Sequence, residues 1–294
     1  MTLPRPVIPS STLFITRRCI LRKFLLKPTR RVNQVLRYNL AEAALEFGID
    51  VHSFTAMSNH VHLVITDPFG VYPLFLERFF KLVAKALNCL YGRWGSLWDS
   101  EQPAVVRVID SAAALSKCAY TLCNPAEANL VAKVAAWPGV STWAATAHGD
   151  MFGAKRPTWF YRENGKMPEE AWIEITPPPM FEGTAEEWRD LLLGEVRRRE
   201  NQFAATRKGR TLGRKVILAQ SREATCETPE PRREVMRRVA CRCKWARIEA
   251  IQRTKAWLAA YKDALGRLRD GVLEAVFPAY SWAVGRLGLH VAPG

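Results

Sequence analysis

Hydrophobic periodicity over the first 110 residues changes between strand and helix in an order that leaves few folds open. Leu13 to Cys19 reads as a strand, apolar first and basic at its exit. From Thr29 to Phe47 the apolar residues Val32, Val35, Leu36, Leu40, Ala43, Ala44 and Phe47 fall at helical spacing, and Gly48 supplies a stop. Ile49 to Met57 and His60 to Thr66 read as two strands joined by a tight Ser58-Asn59 turn, and Asp67-Pro68 breaks the second. Tyr72 to Leu90 reads as a second amphipathic helix and Ala104 to Ile109 as a fourth strand. Strand, helix, two strands, helix, strand is the split βαβ order, so the expected class is α+β, a ferredoxin-like antiparallel sheet with helices. In that topology the strand from His60 to Thr66 is central.

That central strand carries His60-Val61-His62. Residues i and i+2 of a strand share a face, so both imidazoles would project together from a rigid platform. Imidazole is the commonest neutral metal ligand, and two on one face supply half of a metal site. A strand with two half-exposed histidines and no ligand role satisfies the same spacing.

A second element is Ala119-Tyr120-Thr121-Leu122-Cys123-Asn124-Pro125. Asp110 is a plausible N-cap for the alanine-rich turns before it, and Pro125 biases Asn124 away from helical angles, setting the pair near the helix end. Tyr120 and Asn124 are four apart and share a helix face. A phenol and an amide oxygen would then reach one site, the first as nucleophile and the second as metal ligand. Alone, Tyr120 reads as a packed aromatic; beside the histidine pair the catalytic reading takes precedence.

At this point the chain resembles a family. Asn59-His60-Val61-His62-Leu63-Val64 is similar to the metal-binding strand of the HUH single-strand DNA transposases. Tyr120 to Pro125, followed by Ala126 to Val131, resembles their nucleophile helix and its exit, and Trp137 to Trp143 the tryptophan- and serine-bearing segment after it. The likeness is strongest to the REP-associated tyrosine transposases and covers about residues 10 to 145. Thr16-Arg17-Arg18-Cys19 departs from the polar Asn-Arg-Gly stretch common after the family's first strand. The resemblance implies a single-tyrosine enzyme, since Ser116 and Asn124 occupy the positions one turn either side of Tyr120 where related initiators often carry a second tyrosine. It implies that His60, His62 and Asn124 hold one Mg²⁺ or Mn²⁺ while Tyr120 attacks single-stranded or hairpin DNA to leave a 5′-phosphotyrosine. In such transposases two subunits can exchange the tyrosine helix, so a homodimer is allowed.

Charge agrees with a polyanionic partner. The net formal charge is +15, with sixteen basic and ten acidic residues up to residue 150 and twenty-seven against eighteen beyond it, so no single tail explains the total. Arg17, Arg18, Arg22, Lys23, Lys27, Arg30 and Arg31 form a run without an acid and would hold a DNA backbone, or simply present a solvated face. No apolar signal segment opens the sequence and no run has the length of a membrane span. Seven cysteines lack the spacing of a disulfide framework, and Cys241-Arg242-Cys243 with Cys226 has no histidine nearby to complete a zinc site. A bacterial cytoplasm, with nucleoid association when DNA is bound, is the simplest compartment.

The expected organisation is a catalytic HUH domain over residues 10–145, a Pro/Gly/aromatic connector over 146–184, and a basic, mainly helical region over 185–294. The connector reads as irregular but partly ordered, because Trp159, Phe160, Tyr161 and Trp172 are costly to leave in water. Helices are expected over 185–203 and 232–269, with a basic glycine-bearing loop from Arg207 to Lys215. Trp245 and Trp257 could stack on unpaired bases, although core packing suits both. Two rival functions remain: a non-catalytic DNA-hairpin-binding protein that keeps the transposase fold, and an RNA-binding module. The second would want exposed aromatics on the sheet, and the histidine strand offers none.

Overall fold

The computed structural model describes residues 4–226 and 238–294. The first strand, β1 (Ser11–Arg18), is followed by α1 (Arg30–Phe47), β2 (Asp50–Ala56), β3 (His60–Asp67), α2 (Tyr72–Tyr91) and β4 (Ala104–Val108). These four strands are antiparallel and lie in the spatial order β2-β3-β1-β4, the ferredoxin-like arrangement that the periodicity predicts.

Local chemistry explains the boundaries. Thr29 caps α1 by accepting from the Val32 N–H at 3.3 Å, and Gly48 ends it at φ 61°, its N–H returning to the Ala44 carbonyl. A side chain at Gly48 would also meet the Phe69 ring at 2.7 Å. Ser58 and Asn59 make the hairpin turn, with the Met57 N–H donating to His60 O at 2.8 Å. Buried Asp67 closes β3 and starts α2, its carboxylate accepting from the N–H groups of Val71 at 3.0 Å and Tyr72 at 2.8 Å.

Strand alternation sorts the core. Leu13, Ile15, Val61, Leu63 and Ile65 face α1 and α2 and pack with Phe54, Phe75 and Phe79. Phe14 and Val64 face the other way, onto α3 (Ser111–Glu127). Asp110 caps α3, accepting from the Ala113 N–H at 2.6 Å. The helix runs two residues past Pro125 rather than ending before it. A proline removes only its own N–H, and Ala128, three residues on, still donates to Asn124 O at 3.0 Å.

Past α3 the structure holds more order than composition suggests. A segment running to α4 (Trp143–His148) lines the edge of β2, where Ala56 N–H donates to Val140 O at 2.9 Å and Trp137 Nε1 to Ala56 O at 3.1 Å. The connector contains a two-stranded sheet, β5 (Phe152–Lys155) with β6 (Glu170–Ile173), packed on α1. Gly153 allows the two strands to close. Helix α5 (Ala185–Thr206) begins with a reciprocal capping box between Thr184 and Glu187 and lays Trp188, Leu192 and Val196 on α3. Short α6 (Arg214–Ala219) follows the basic loop.

Three expectations are corrected in the last third. Val239–Ala240 forms β7, which pairs with β4 in parallel, so the sheet is mixed and five-stranded rather than purely antiparallel. Of the helix expected over 232–269, residues 232–237 lie outside the described residues, and α7 spans Lys244–Arg269. Trp245 is 74% exposed, not core, whereas Trp257 packs on Tyr261 and donates from Nε1 to Ala279 O at 2.7 Å. A small cluster of Phe277, Leu289 and Val291 with Val284 from α8 (Trp282–Gly285) packs on the end of α7. Among the described residues no helix is long and apolar enough to cross a membrane.

Candidate active site

The site forms where β3 passes beneath α3. Alternation puts His60 and His62 on the α3 side of the sheet, because their neighbours Val61 and Leu63 are committed to the opposite core. The two imidazole centroids are 4.8 Å apart, and the Tyr120 ring lies 5.2 Å from that of His62. Helical spacing brings Asn124 beneath Tyr120, as the sequence predicts. Asn124 Nδ2 lies 3.2 Å from His62 Nε2. The four residues singled out in the sequence therefore meet at one place.

Each histidine is held at its other nitrogen by a residue the sequence reading missed. His60 Nδ1 lies 2.6 Å from Asn59 Oδ1 and His62 Nδ1 2.9 Å from Thr16 Oγ1. With Nδ1–H donating to oxygen, both Nε2 lone pairs are left for a ligand, the usual arrangement of metal-binding histidines. Thr16 could have been found from strand register, since it faces His62 directly across the β1–β3 ladder while Arg18 faces His60. Phe14 adds a stack on His62, with centroids 5.5 Å apart and planes 10° from parallel.

His60, His62 and Asn124 are the side chains here that could hold one divalent cation. Amide oxygen and nitrogen are assigned from hydrogen bonding, so turning the Asn124 carboxamide presents Oδ1 where Nδ2 stands. Two donors about 3 Å apart have the spacing of neighbours in an octahedral shell with bonds of about 2.1 Å. Among the described residues no three His, Cys, Asp or Glu side chains form a metal-holding group, so the third protein donor would be an amide oxygen. In such a set the imidazole nitrogens suit transition metals and the amide oxygen suits Mg²⁺ or Mn²⁺. Among the described residues no cysteine is in a disulfide, and the Cys241 thiol donates to Asp110 Oδ2 at 2.8 Å.

Electrostatics keep both imidazoles neutral at pH 7. Burial, then the positive charge of Arg18, pushes His60 down to about 4, against the Asn124 amide, which favours the charged ring. Burial also sets His62 well below the ordinary value, helped by His60, Lys117 and Arg18. The Tyr120 phenol moves up, chiefly through burial and secondly through Glu127, while Asn124 and Arg18 oppose the rise. Lys117 Nζ sits 4.6 Å from the Phe14 ring centre and 5.8 Å from that of Tyr120.

The basic run after β1 divides. Arg18 is exposed beside His60, but Arg17 turns to the opposite face, its guanidinium 4.9 Å from the Phe80 ring centre and 5.7 Å from that of Trp98. Arg22 is half-buried and its carbonyl accepts from Asn59 Nδ2 at 3.2 Å. Lys23 pairs with Glu223 at 2.5 Å. Arg30 and Arg31 are exposed on the first turn of α1, with Arg31 5.7 Å from the Trp159 ring centre.

No protein-family model matches the chain, and no curated protein matches it. Among solved structures it is similar to a REP-associated tyrosine transposase bound to a REP hairpin, at 18% identity over 63% of this chain and 98% of that one, with a TM-score of 0.43. It is also similar to a protein of Deinococcus radiodurans R1 described as a transposase, at 19% identity over 38% of this chain and 89% of that one, with a TM-score of 0.30. At these identities no activity transfers from either protein, and the chemistry of the site is that of its own side chains.

Proposed function

We propose that the protein is a transposase-type enzyme that cleaves and rejoins single-stranded DNA, hairpin-bearing ends included, through Tyr120. The observation that carries the reading is the meeting of two elements, His60 and His62 on β3 with Tyr120 and Asn124 on α3, Asn124 Nδ2 lying 3.2 Å from His62 Nε2 and the Tyr120 ring 5.2 Å from that of His62. A packed aromatic and two core histidines have no need of a buried amide set 3.2 Å from an imidazole Nε2.

In the proposed reaction Tyr120 Oη attacks phosphorus, a phosphorus–oxygen bond to Tyr120 forms, and the bond to the 3′ oxygen breaks. The phenol gives up its proton to water and the departing 3′ oxygen takes one up, leaving a 3′ hydroxyl and a 5′-phosphotyrosine. The new ester stores the bond energy for rejoining. His60, His62 and Asn124 would hold a divalent cation, which when bound supplies charge stabilisation to phosphate oxygens. Arg18 and Asn124 both favour the phenolate, against burial.

The test is a covalent adduct on denaturing gels with 5′- and 3′-labelled single-stranded DNA from the flanks of the gene. Tyr120→Phe keeps the ring and its packing and should abolish the adduct while DNA affinity survives. Chelator, or replacement of both His60 and His62 by alanine, should do the same. An adduct from Tyr120→Phe means that another tyrosine is the nucleophile. If the unaltered protein forms none on any flanking strand but binds hairpins, the non-catalytic reading replaces this one.

A further inference from the structure

The C-terminal region builds a groove beside the nucleophile helix that the reaction described above does not use. Its volume is about 930 Å³, and it lies between α3, the β4–β7 edge and α7. The α3 side is lined by Ala113, Ser116 and Lys117. These share a helix face with Tyr120 one turn on, so the groove runs along the face of α3 that presents the tyrosine.

Five cations line the groove, Lys117, Arg238, Arg242, Arg247 and Lys255, and no carboxylate is among its lining residues. Arg247, Ile251 and Lys255 recur every four residues along one face of α7, about 12 Å of helix and longer than the interval between successive phosphates. Between the cations the surface is apolar, with Val106, Val239 and Leu258. Charges at a rim above an apolar floor match a chain of phosphates carrying unpaired bases.

Asp110 holds the walls in register. One carboxylate oxygen caps α3, and the other accepts from the Arg242 N–H at 2.6 Å and the Cys243 N–H at 3.3 Å, immediately before α7. The start of the nucleophile helix and the start of the groove's outer wall therefore share one anchor.

We propose that this groove is the track by which a single nucleic-acid strand is led to Tyr120. The direction of travel rests on the assignment of Tyr120 as nucleophile; the binding itself does not. The groove cations meet the strand's phosphates, and α7 serves as its outer rail.

The experiment measures binding of a fluorescein-labelled single-stranded oligonucleotide of mixed sequence by anisotropy across a salt series. The full chain is compared with the groove variant Arg242→Gln/Arg247→Gln/Lys255→Gln. A distal variant, Lys262→Gln/Arg267→Gln/Arg269→Gln, makes the same charge change farther along α7. All six side chains are exposed, and thermal melts check that both variants fold. Each phosphate contact contributes about 0.7 to the slope of log affinity against log salt for single strands, so the groove variant should lose about 2 from its slope. The distal variant should lose less than half a unit. Equal losses overturn the proposal, because diffuse positive charge then explains binding. Displacement of the oligonucleotide by polyglutamate of equal charge, as efficient as by unlabelled DNA, also overturns it in favour of an acidic protein partner. The selective slope loss without any Tyr120 adduct keeps the groove and removes the catalytic reading; an adduct with no slope difference does the reverse.

Discussion

Thr16→Val isolates the part of the site least visible in the sequence. Valine keeps the branched shape that suits a strand and removes only the hydroxyl, whose oxygen lies 2.9 Å from His62 Nδ1. His62 is 5% exposed, so water cannot replace the lost partner, and an unsatisfied buried donor costs about 1 to 3 kcal/mol. Part of that loss is general stability. The remainder falls on metal affinity, where loss of a residue that orients a ligand typically costs about 10- to 100-fold, or about 1.4 to 2.7 kcal/mol. The Phe14 stack and the Asn124 contact still hold the ring, which points to the lower end, about tenfold. The assay is Mn²⁺ titration followed by loss of the free-ion electron paramagnetic resonance signal, with Mn²⁺-dependent adduct formation measured in parallel. Thr16→Ser should restore most of the affinity because it returns the hydroxyl. Unchanged Mn²⁺ affinity in Thr16→Val, with affinity abolished in His62→Ala, would refute the claim that Thr16 orients the ligand.

Two further outcomes follow from parts of the fold remote from the site. His52 sits at the bulge of β2, buried, with Nδ1 2.8 Å from Thr176 O and Nε2 2.8 Å from Thr66 Oγ1. Burial lowers it from 6.5 to about 4. The unfolded chain therefore binds this proton first as pH falls, so stability is full above about 6.5 and is lost down through about 4, amounting to about 3 kcal/mol at pH 4. Denaturant melts of His52→Gln, which keeps a donor and an acceptor without titrating in this range, should lack that share of the pH dependence; parallel curves for the two proteins would contradict the argument. Gly153→Ala places a Cβ 1.9 Å from Ala171 O and 2.8 Å from Trp172 Cα, both backbone atoms, so β5 and β6 must separate. A loss of at least about 2 kcal/mol is expected, with adduct formation retained below the melting point, and an unaltered melt would show that the hairpin yields freely.

What the sequence made legible is what repeats. The first two long helices and the first four strands carry many residues of one periodicity between identifiable caps, so noise at single positions averages out. The ladder partners of His60 and His62 were legible in principle, because alternation along Thr16, Arg17 and Arg18 sends the middle residue to the far face. Reading the seven cations as one cluster passed over that alternation, and Arg17 is found stacked on Phe80 and Trp98. The four-residue strands β5 and β6 and the two-residue strand β7 are too short to show a period, and their pairing depends on partners distant in the chain. Trp245 shows the limit from the other side: an aromatic type favours burial, but only the tertiary surroundings of α7 decide that this one stays in water.

Strand β7 also bears on how such a chain can gain or lose its C-terminal part. A sheet edge with bare N–H and C=O groups is a template for any passing strand. Here the edge of β4 is closed by its own chain, through the Arg107 N–H to Arg238 O at 2.9 Å and the Ile109 N–H to Ala240 O at 3.0 Å. The short pairing acts as an edge guard against self-association. A chain shortened before residue 238 would carry β4 uncovered, inviting edge-to-edge dimers, domain exchange or fibrous aggregates. Solubility and the C-terminal region are thereby tied together: the two residues that seal the sheet could not be deleted without another cover.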